Sequence, residues 1–188
     1  MIPRLSAAMI ALSLALLAVL ELREATASAP SIEQPLIVQR DQGEVRLWRP
    51  LPGGVRSLRT FTIKIDRQNG GSPDFWFVSS EIPSGAAIRE HRHLYQDEVL
   101  FIDSGVARVH VGNLQGDAHA GTMVFIPRDT WVSVKNIGTA AVALRAGFNA
   151  PGFDRFMRCE SVAAGQRPTL MSPQEDRRCQ KLGDIEYR

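Results

Sequence analysis

Apolar and polar positions alternate along most of the chain after residue 32. The run 106–111, for example, places Ala107, Val109 and Val111 on one face and polar side chains on the other, which is typical of a half-buried β-strand. Turn residues such as glycine, proline and asparagine separate these runs. Short strands at roughly even spacing predict an all-β barrel or sandwich. The predicted strands cover 36–38, 45–48, 59–65, 74–82, 98–102, 106–111, 123–126, 131–134 and 140–146.

The pattern changes beyond the last predicted strand, where apolar positions recur at helical spacing. Phe153, Phe156 and Met157 fall on one helical face. Further along, Ser172-Pro173-Gln174-Glu175 is a capping box with proline at the first helical position. These signals predict a helix over 173–182, ended by a glycine.

The N-terminal segment has the features of a secretory signal peptide. Arg4 precedes an almost unbroken apolar segment over 5–20, and small and polar residues follow it. Cleavage after Ala27 is favoured over cleavage after Ala29, because a proline would follow the second bond. An uncleaved membrane anchor is the alternative, but sixteen residues are fewer than the ~20 that cross a bilayer. We therefore expect a signal peptide at 1–27 and a secreted or periplasmic protein without a stable membrane span.

Length and composition are those of one globular domain with a short extension. The chain has 188 residues, of which 44% are apolar, and a formal net charge of +2. Its basic residues are spread out, which argues against nucleic acid or an anionic membrane surface as a partner. We expect a barrel over 28–150 and a helical tail over 151–188 on its outside.

The two cysteines both fall in the predicted tail. In an oxidising compartment, pairing of Cys159 with Cys179 is favoured. Such a disulfide would close a loop of about twenty residues and stabilise the fold by roughly 3 kcal/mol in the chain-entropy model. The alternative is two separate buried thiols, and the wide spacing argues against a zinc or redox motif.

Candidate metal ligands occur between two glycines, over 85–105. His91 and His93 are two apart, so on a strand both imidazoles point to the same side. A short link predicts that 98–102 returns as the antiparallel partner, which would turn Glu98 towards the two histidines. Two imidazoles and one carboxylate with open positions form the facial arrangement of non-haem metal centres. Iron, manganese, nickel, copper and zinc all accept these ligands, so the divalent transition metal is not identified.

These residues resemble a known family motif. The pattern Gly85-x5-His91-x-His93-x4-Glu98-x6-Gly105 is similar to the first conserved motif of the cupins at every defined position. The resemblance covers roughly residues 74–158. It implies a single double-stranded β-helix, or jelly-roll, barrel with a metal site at His91, His93 and Glu98.

The second cupin motif is matched in part. Gly121, Pro127 and Asn136 are in register with it, whereas Asp129 replaces its glycine and Val132 its histidine. Aspartate tolerates the left-handed backbone better than most residues, so the turn can survive that replacement. Valine cannot coordinate a metal, and the resemblance therefore implies a site with three protein ligands instead of four.

The segment 151–158 resembles the post-barrel segment of small cupins similar to quercetin dioxygenases. That resemblance implies a metal-dependent dioxygenase acting on a small, for example phenolic, substrate, with Glu98 as a base. The alternative is a non-catalytic barrel that binds a small ligand with a reduced or absent metal site. Tyr95, Trp131 and Val132 are candidate pocket residues, although core packing is the favoured interpretation of Trp131 and tyrosines in turns are commonly just exposed.

The outer side of the strand that carries Glu98 is also apolar. Val99 and Phe101 point away from Glu98 on a strand of period two. Cover by a neighbouring strand or by a second subunit would explain this pattern, and a homodimer is one such arrangement.

Overall fold

The computed structural model describes residues 33–52 and 59–188 of the chain. The predicted signal peptide at 1–27 and its cleavage site lie outside these residues. The strands of the described part are β1 (Glu44–Trp48), β2 (Thr60–Ile65), β3 (Trp76–Ile82), β4 (Ala87–His93), β5 (Glu98–Ser104), β6 (Val106–Val111), β7 (Leu114–His119), β8 (Met123–Ile126), β9 (Val132–Asn136), β10 (Val142–Phe148), β11 (Ser161–Ala163) and β12 (Ile185–Tyr187). Its α-helices are α1 (Phe153–Cys159) and α2 (Pro173–Gly183).

The strands form two antiparallel sheets. One sheet has the order β11-β1-β2-β3-β10-β5-β8, and the other has the order β12-β4-β9-β6-β7. The alternation of apolar and polar positions lets each sheet bury one face against the other. The predicted class, an all-β jelly-roll barrel with a short helical tail, is confirmed.

Two strand predictions differ from the structure. The apolar residues at 36–38 form no strand, and β7 lies where a turn and a polar connection were expected. β7 is an edge strand paired only with β6, and five of its six side chains are exposed. Because such a strand has no buried face to fill, its sequence shows no apolar alternation.

The core lies between the two sheets and continues under the tail. Trp76 on β3 stacks on Phe148 on β10 with ring centroids 4.4 Å apart and planes 7° apart. Phe156 of α1 is completely buried and lies with its ring 5.2 Å from that of Phe153. The apolar face of α1 therefore closes one end of the barrel core, which explains the helical spacing of these aromatic residues.

The tail is more than a helical appendage, because it adds a strand to each sheet. β11 pairs with β1, and β12 pairs with β4. Helix α2 begins at the predicted capping box, in which Ser172 and Glu175 each accept a backbone N–H from the other. Cys159 at the end of α1 and Cys179 in α2 form a disulfide, as the sequence predicts for an oxidising compartment.

Asp129 and Asn136, two residues of the second cupin motif, stabilise a turn and a loop. Asp129 adopts a φ of 60°, so it takes the left-handed conformation of the glycine it replaces, as expected. Asn136 is 1% exposed; its Nδ2 donates to the carbonyls of Ile82 and Ala140, each at 2.8 Å, and its Oδ1 accepts from Gly138 N. One buried amide thus joins the ends of three strands.

Replacing Asn136 by alanine is expected to lower the free energy of unfolding by about 2 kcal/mol, because two backbone carbonyls and one N–H lose their partner. Urea unfolding followed by far-UV circular dichroism measures this change. Asn149→Ala, at an exposed asparagine bonded to Asp97, is the comparison variant and should cost less. Equal stability of Asn136→Ala and the parent protein would contradict the role assigned to this amide.

Candidate metal centre

A β-bulge in β4 sets the direction of its first histidine. Ile88 lies opposite Val134 on β9, and His91 lies opposite Val132. Three steps along β4 thus match two steps along β9, which inserts one extra residue between Ile88 and His91. The side chains of Ile88 and His91 consequently point to the same face of the sheet as their partners Val134 and Val132. Both valines are buried in the barrel interior.

The bulge also supplies a partner for the His91 ring. His91 Nδ1 lies 2.7 Å from the backbone carbonyl oxygen of Arg89, so Nδ1 carries the proton and donates it. This leaves the lone pair on Nε2 for the site, the usual way a second contact orients a histidine ligand. Burial, reinforced by the charge of His93, lowers the pKa of His91 to about 4, so the imidazole is neutral at pH 7. The neutral form is the one that binds a metal.

His93 is 3% exposed and surrounded by aromatic rings. Its ring centroid lies 4.5 Å from that of Phe153 and 5.1 Å from that of Phe148, both edge-on. Neither ring nitrogen has a hydrogen-bond partner among the residues that the structure describes. Nε2 comes within 3.4 Å of Glu98 Oε2, but the contact lacks the alignment of a hydrogen bond.

Glu98 approaches the histidines from the opposite sheet, and this corrects the predicted hairpin. β4 pairs with β9 and β12, whereas β5 pairs with β10 and β8. The link at 94–97 therefore carries the chain from one sheet to the other instead of turning it into a neighbouring strand. Because the inner faces of the two sheets oppose each other, Glu98 still faces the imidazoles, across the barrel. It is 7% exposed.

The three side chains fit a metal ion. One ligand atom of each lies within 4.8 Å of the others. Two atoms bound to one ion at about 2.1 Å are at most about 4.2 Å apart, so the separation is close to that of a shared site. Burying both nitrogens of His93 and Glu98 Oε2 without partners is costly, and coordination of a cation would satisfy one of these nitrogens and Glu98 Oε2. The imidazole and carboxylate donors suit iron, manganese, nickel, copper or zinc.

A cavity of about 110 Å³ opens beside the cluster and reaches His91 and Glu98. Its wall is mostly apolar, with contributions from both sheets, from α1 and from β12. The apolar lining residues include Trp48, Val78, Leu100, Ile126, Val132, Val134, Leu144, Phe148, Phe153 and Met157. Val132 thus lies in the pocket wall, where the sequence placed it, and it offers an apolar surface in the position of the absent fourth ligand.

The pocket prediction for Tyr95 and Trp131 is not supported. Tyr95 is 65% exposed in the link between the two sheets and does not line the cavity. Trp131 lies outside the barrel wall, where the guanidinium carbon of Arg92 is 4.8 Å and that of Arg188 is 4.0 Å from its ring centroid. It precedes the inward-facing Val132 by one position, so the pleat turns it to the other side.

Three residues that the sequence did not single out support the site. Gln96 is 1% exposed, and its Nε2 donates to the carbonyl of Pro151 at 3.1 Å, which ties the ligand-bearing link to the start of the tail. Gly152 has a φ of 146°, and a Cβ there would lie 2.1 Å from Gln96 Nε2. Tyr187 of β12 covers the cavity, with its ring centroid 5.7 Å from that of His91. These contacts depend on the tail, and no sequence spacing marks them.

The link at 94–97 also contains Asp97, whose carboxylate binds residues of neighbouring segments. Asp97 accepts hydrogen bonds from the backbone and guanidinium of Arg128 and from Asn149 Nδ2. The bonds from Arg128 lower the pKa of Asp97 to about 2. The remaining histidines, His110 on β6 and His119 on β7, are exposed.

A two-sheet antiparallel barrel with a buried cluster of two histidines and a glutamate beside an apolar cavity defines the class. Residues 78–146 match the family described as the cupin domain, and this part of the chain is a cupin domain. No curated protein matches the sequence.

Solved structures share the fold at low sequence identity. A structure from Thermotoga maritima, described as a predicted oxalate decarboxylase, is 16% identical with a TM-score of 0.53, over 62% of this chain and all of that chain (100%). The Cnp3 cupin domain of Schizosaccharomyces pombe is 22% identical with a TM-score of 0.45, over 51% and 67%. The oxalate decarboxylase formate complex of Lactobacillus farciminis is 20% identical with a TM-score of 0.46, over 56% and 31%. The likeness to the Thermotoga maritima structure concerns the fold, and the narrower resemblance to quercetin dioxygenases stays a prediction.

Proposed function

We propose that this protein is an exported metal-dependent cupin and that its His91–His93–Glu98 cluster catalyses a dioxygenase-type oxidation of a small substrate. The observation that carries the proposal is the buried, unpartnered set of ligand atoms beside an apolar cavity. Two histidines and one carboxylate with open positions are characteristic of non-haem oxygenases. When bound, a redox-active transition metal supplies the electron-transfer chemistry, while the barrel excludes water.

Glu98 is proposed to take a proton from a substrate hydroxyl. Glu98 lines the cavity, and when one of its carboxylate oxygens holds a metal the other would stay open to the substrate. A base must lie within hydrogen-bond reach of the proton that it accepts, and a hydroxyl in the cavity would meet this condition. The bond from His91 Nδ1 to Arg89 O fixes the orientation of the neighbouring imidazole while the proton moves.

The size of the cavity limits the substrate. Its volume of about 110 Å³ is below the ≈ 300 Å³ lower end of sites for drug-sized ligands. It is closer to the ≈ 150 Å³ apolar cavity that accommodates benzene. A single ring or a short chain fits the described space, which favours simple phenols over larger ring systems.

Oxygen consumption by the metal-loaded protein tests the proposed activity. Protein purified and loaded in turn with iron, manganese, nickel or copper is expected to consume O₂ with at least one member of a panel of one-ring phenols. Glu98→Gln should retain the shape of the cavity and lose turnover, because the amide cannot accept the proton. Stoichiometric metal without O₂ uptake across the whole panel would contradict the dioxygenase proposal.

A binding module without catalysis is the second candidate. The observation that favours it is Val132, an almost fully buried apolar side chain in the position where metal-binding cupins resembling this chain carry a further histidine. In this case the protein would bind a small ligand with the same affinity with and without metal, as titration calorimetry measures. The likeness to oxalate decarboxylases concerns the fold alone and does not favour decarboxylation over either candidate.

Export and self-association are also part of the proposal. The predicted signal peptide and the Cys159–Cys179 disulfide both support an oxidising compartment. In the described part of the chain no helix is long and apolar enough to span a membrane. For a homodimer, the supporting feature is an apolar strip on the outer side of β5 and β8, where Met123 and Phe125 are 63% and 62% exposed.

A further inference from the structure

Arg89 differs from the surface arginines in its partners. Arg92 lies 2.6 Å from a carboxylate oxygen of Glu186, and Arg108 lies 2.9 Å from one of Asp117. In the described part of the chain, the guanidinium of Arg89 has no carboxylate within ion-pair distance. Its recorded contact is with an aromatic face, 4.3 Å from the centroid of the Tyr187 ring. A half-buried cation without a counter-ion has capacity for an anionic ligand.

This cation lines the same cavity as His91 and Glu98, two of the three candidate metal ligands. Arg89, Tyr187 and His91 all line the cavity, and the rings of Tyr187 and His91 are 5.7 Å apart. The backbone of Arg89 is in direct contact with one of these ligands, since its carbonyl accepts the hydrogen bond from His91 Nδ1. The guanidinium and the metal ligands can therefore contact one small molecule together.

The charge of the cavity wall favours an anion. Among its described lining residues, Glu98 is the one carboxylate and would be neutralised by a bound metal ion, whereas the Arg89 guanidinium has no carboxylate within ion-pair distance. Most of the other lining side chains are apolar and offer no further counter-charge. A divalent cation on the three ligands would make the site still more positive.

We propose that the cavity is built for a small carboxylate with an apolar body. The carboxylate would pair with the planar guanidinium of Arg89, which matches its two oxygens, and the body would lie against the apolar wall next to Glu98. This inference deepens the proposed function, on which it rests for the identity of the site. It narrows the substrate class from small phenols to molecules that carry a carboxylate, such as a one-ring acid.

Binding of benzoate and of its uncharged isostere benzamide tests this inference. Titration calorimetry is performed with the full mature protein, both loaded with zinc and treated with a chelator, so that pairing with Arg89 is separated from direct coordination. Benzoate is expected to bind about tenfold more tightly than benzamide in both forms. The tested variant is Arg89→Met. The matched control is Arg108→Met, which replaces an arginine on a different strand, β6.

Arg89→Met is expected to bind both probes with equal affinity, while Arg108→Met retains the tenfold preference. Arg89→Lys keeps the charge and should keep part of the preference, which covers the case in which the methionine variant does not fold. Equal binding of the two probes by the parent protein, or a full preference in Arg89→Met, would overturn the inference. A benzoate preference without O₂ uptake would support the carboxylate site and reject only the proposed oxidation.

Discussion

Replacing His93 by phenylalanine is expected to remove bound metal and, at the same time, to stabilise the metal-free protein. The imidazole has two buried nitrogens without hydrogen bonds among the rings of Phe148 and Phe153. A phenyl ring removes the free-energy cost of burying these two nitrogens without partners. We expect a net stabilisation of about 1–2 kcal/mol after allowing for the slightly larger ring. Elemental analysis should fall from about one equivalent of metal to less than a tenth.

The two effects have opposite signs, and this separates loss of a ligand from loss of the fold. The chelator-treated parent protein should gain about 2.7 kcal/mol of stability at a metal concentration of 100 times the Kd, whereas His93→Phe should gain nothing. His110→Phe, on the exposed side of β6, is the matched control and should bind metal as the parent does. Stoichiometric metal in His93→Phe would show that this histidine is not a ligand.

The barrel could be predicted from the sequence because its strands have one buried face. The alternation in β6 reports that Ala107, Val109 and Val111 face the core, and the structure buries all three. β7 could not be found in this way, since it is held by backbone pairing to β6 and buries only Ala118. The pattern of apolar and polar side chains indicates which residues are buried. An exposed edge strand buries few residues, so it shows little of this pattern.

The ligand set was accessible from spacing, but its geometry was not. A period of two places His91 and His93 on one side of any strand, whichever partner that strand has. Which strand faces them depends on long-range pairing, and the short link before Glu98 is compatible with both a hairpin and a crossing between sheets. The bulge that directs His91 towards Arg89 O depends on the register with β9, to which no local signal corresponds.

The pocket was predicted least well, because its wall comes from distant parts of the chain. Phe153 and Met157 come from α1 and Tyr187 from β12, and all three reach the cavity only once the tail is in place. Trp131 was assigned by its closeness in sequence to Val132, yet neighbours on a strand point to opposite sides. Aromatic character alone therefore does not distinguish a pocket wall from a surface stack such as that of Trp131 with Arg188.

The position of the tail over the cavity depends on a cross-link between its two helices. Cys159 is the last residue of α1, which lines the cavity through Phe153 and Met157, and its partner Cys179 is almost fully buried in α2. The packing of Gly183 on Phe156 brings the same helices together, because a Cβ at Gly183 would lie 2.2 Å from the Phe156 Cβ.

Replacing both cysteines by alanine is therefore expected to lower the free energy of unfolding by about 3 kcal/mol, since the bond closes a loop of 20 residues. For a domain of this size the thermal midpoint should fall by roughly 6–12 °C. The parent protein should approach the same midpoint when dithiothreitol is added, whereas the double variant should not respond to it. Because the freed α1 no longer closes the cavity firmly, ligand affinity should fall together with stability. A midpoint within 1 °C of the parent would show that packing of the helices, without the cross-link, is sufficient to hold the tail in place.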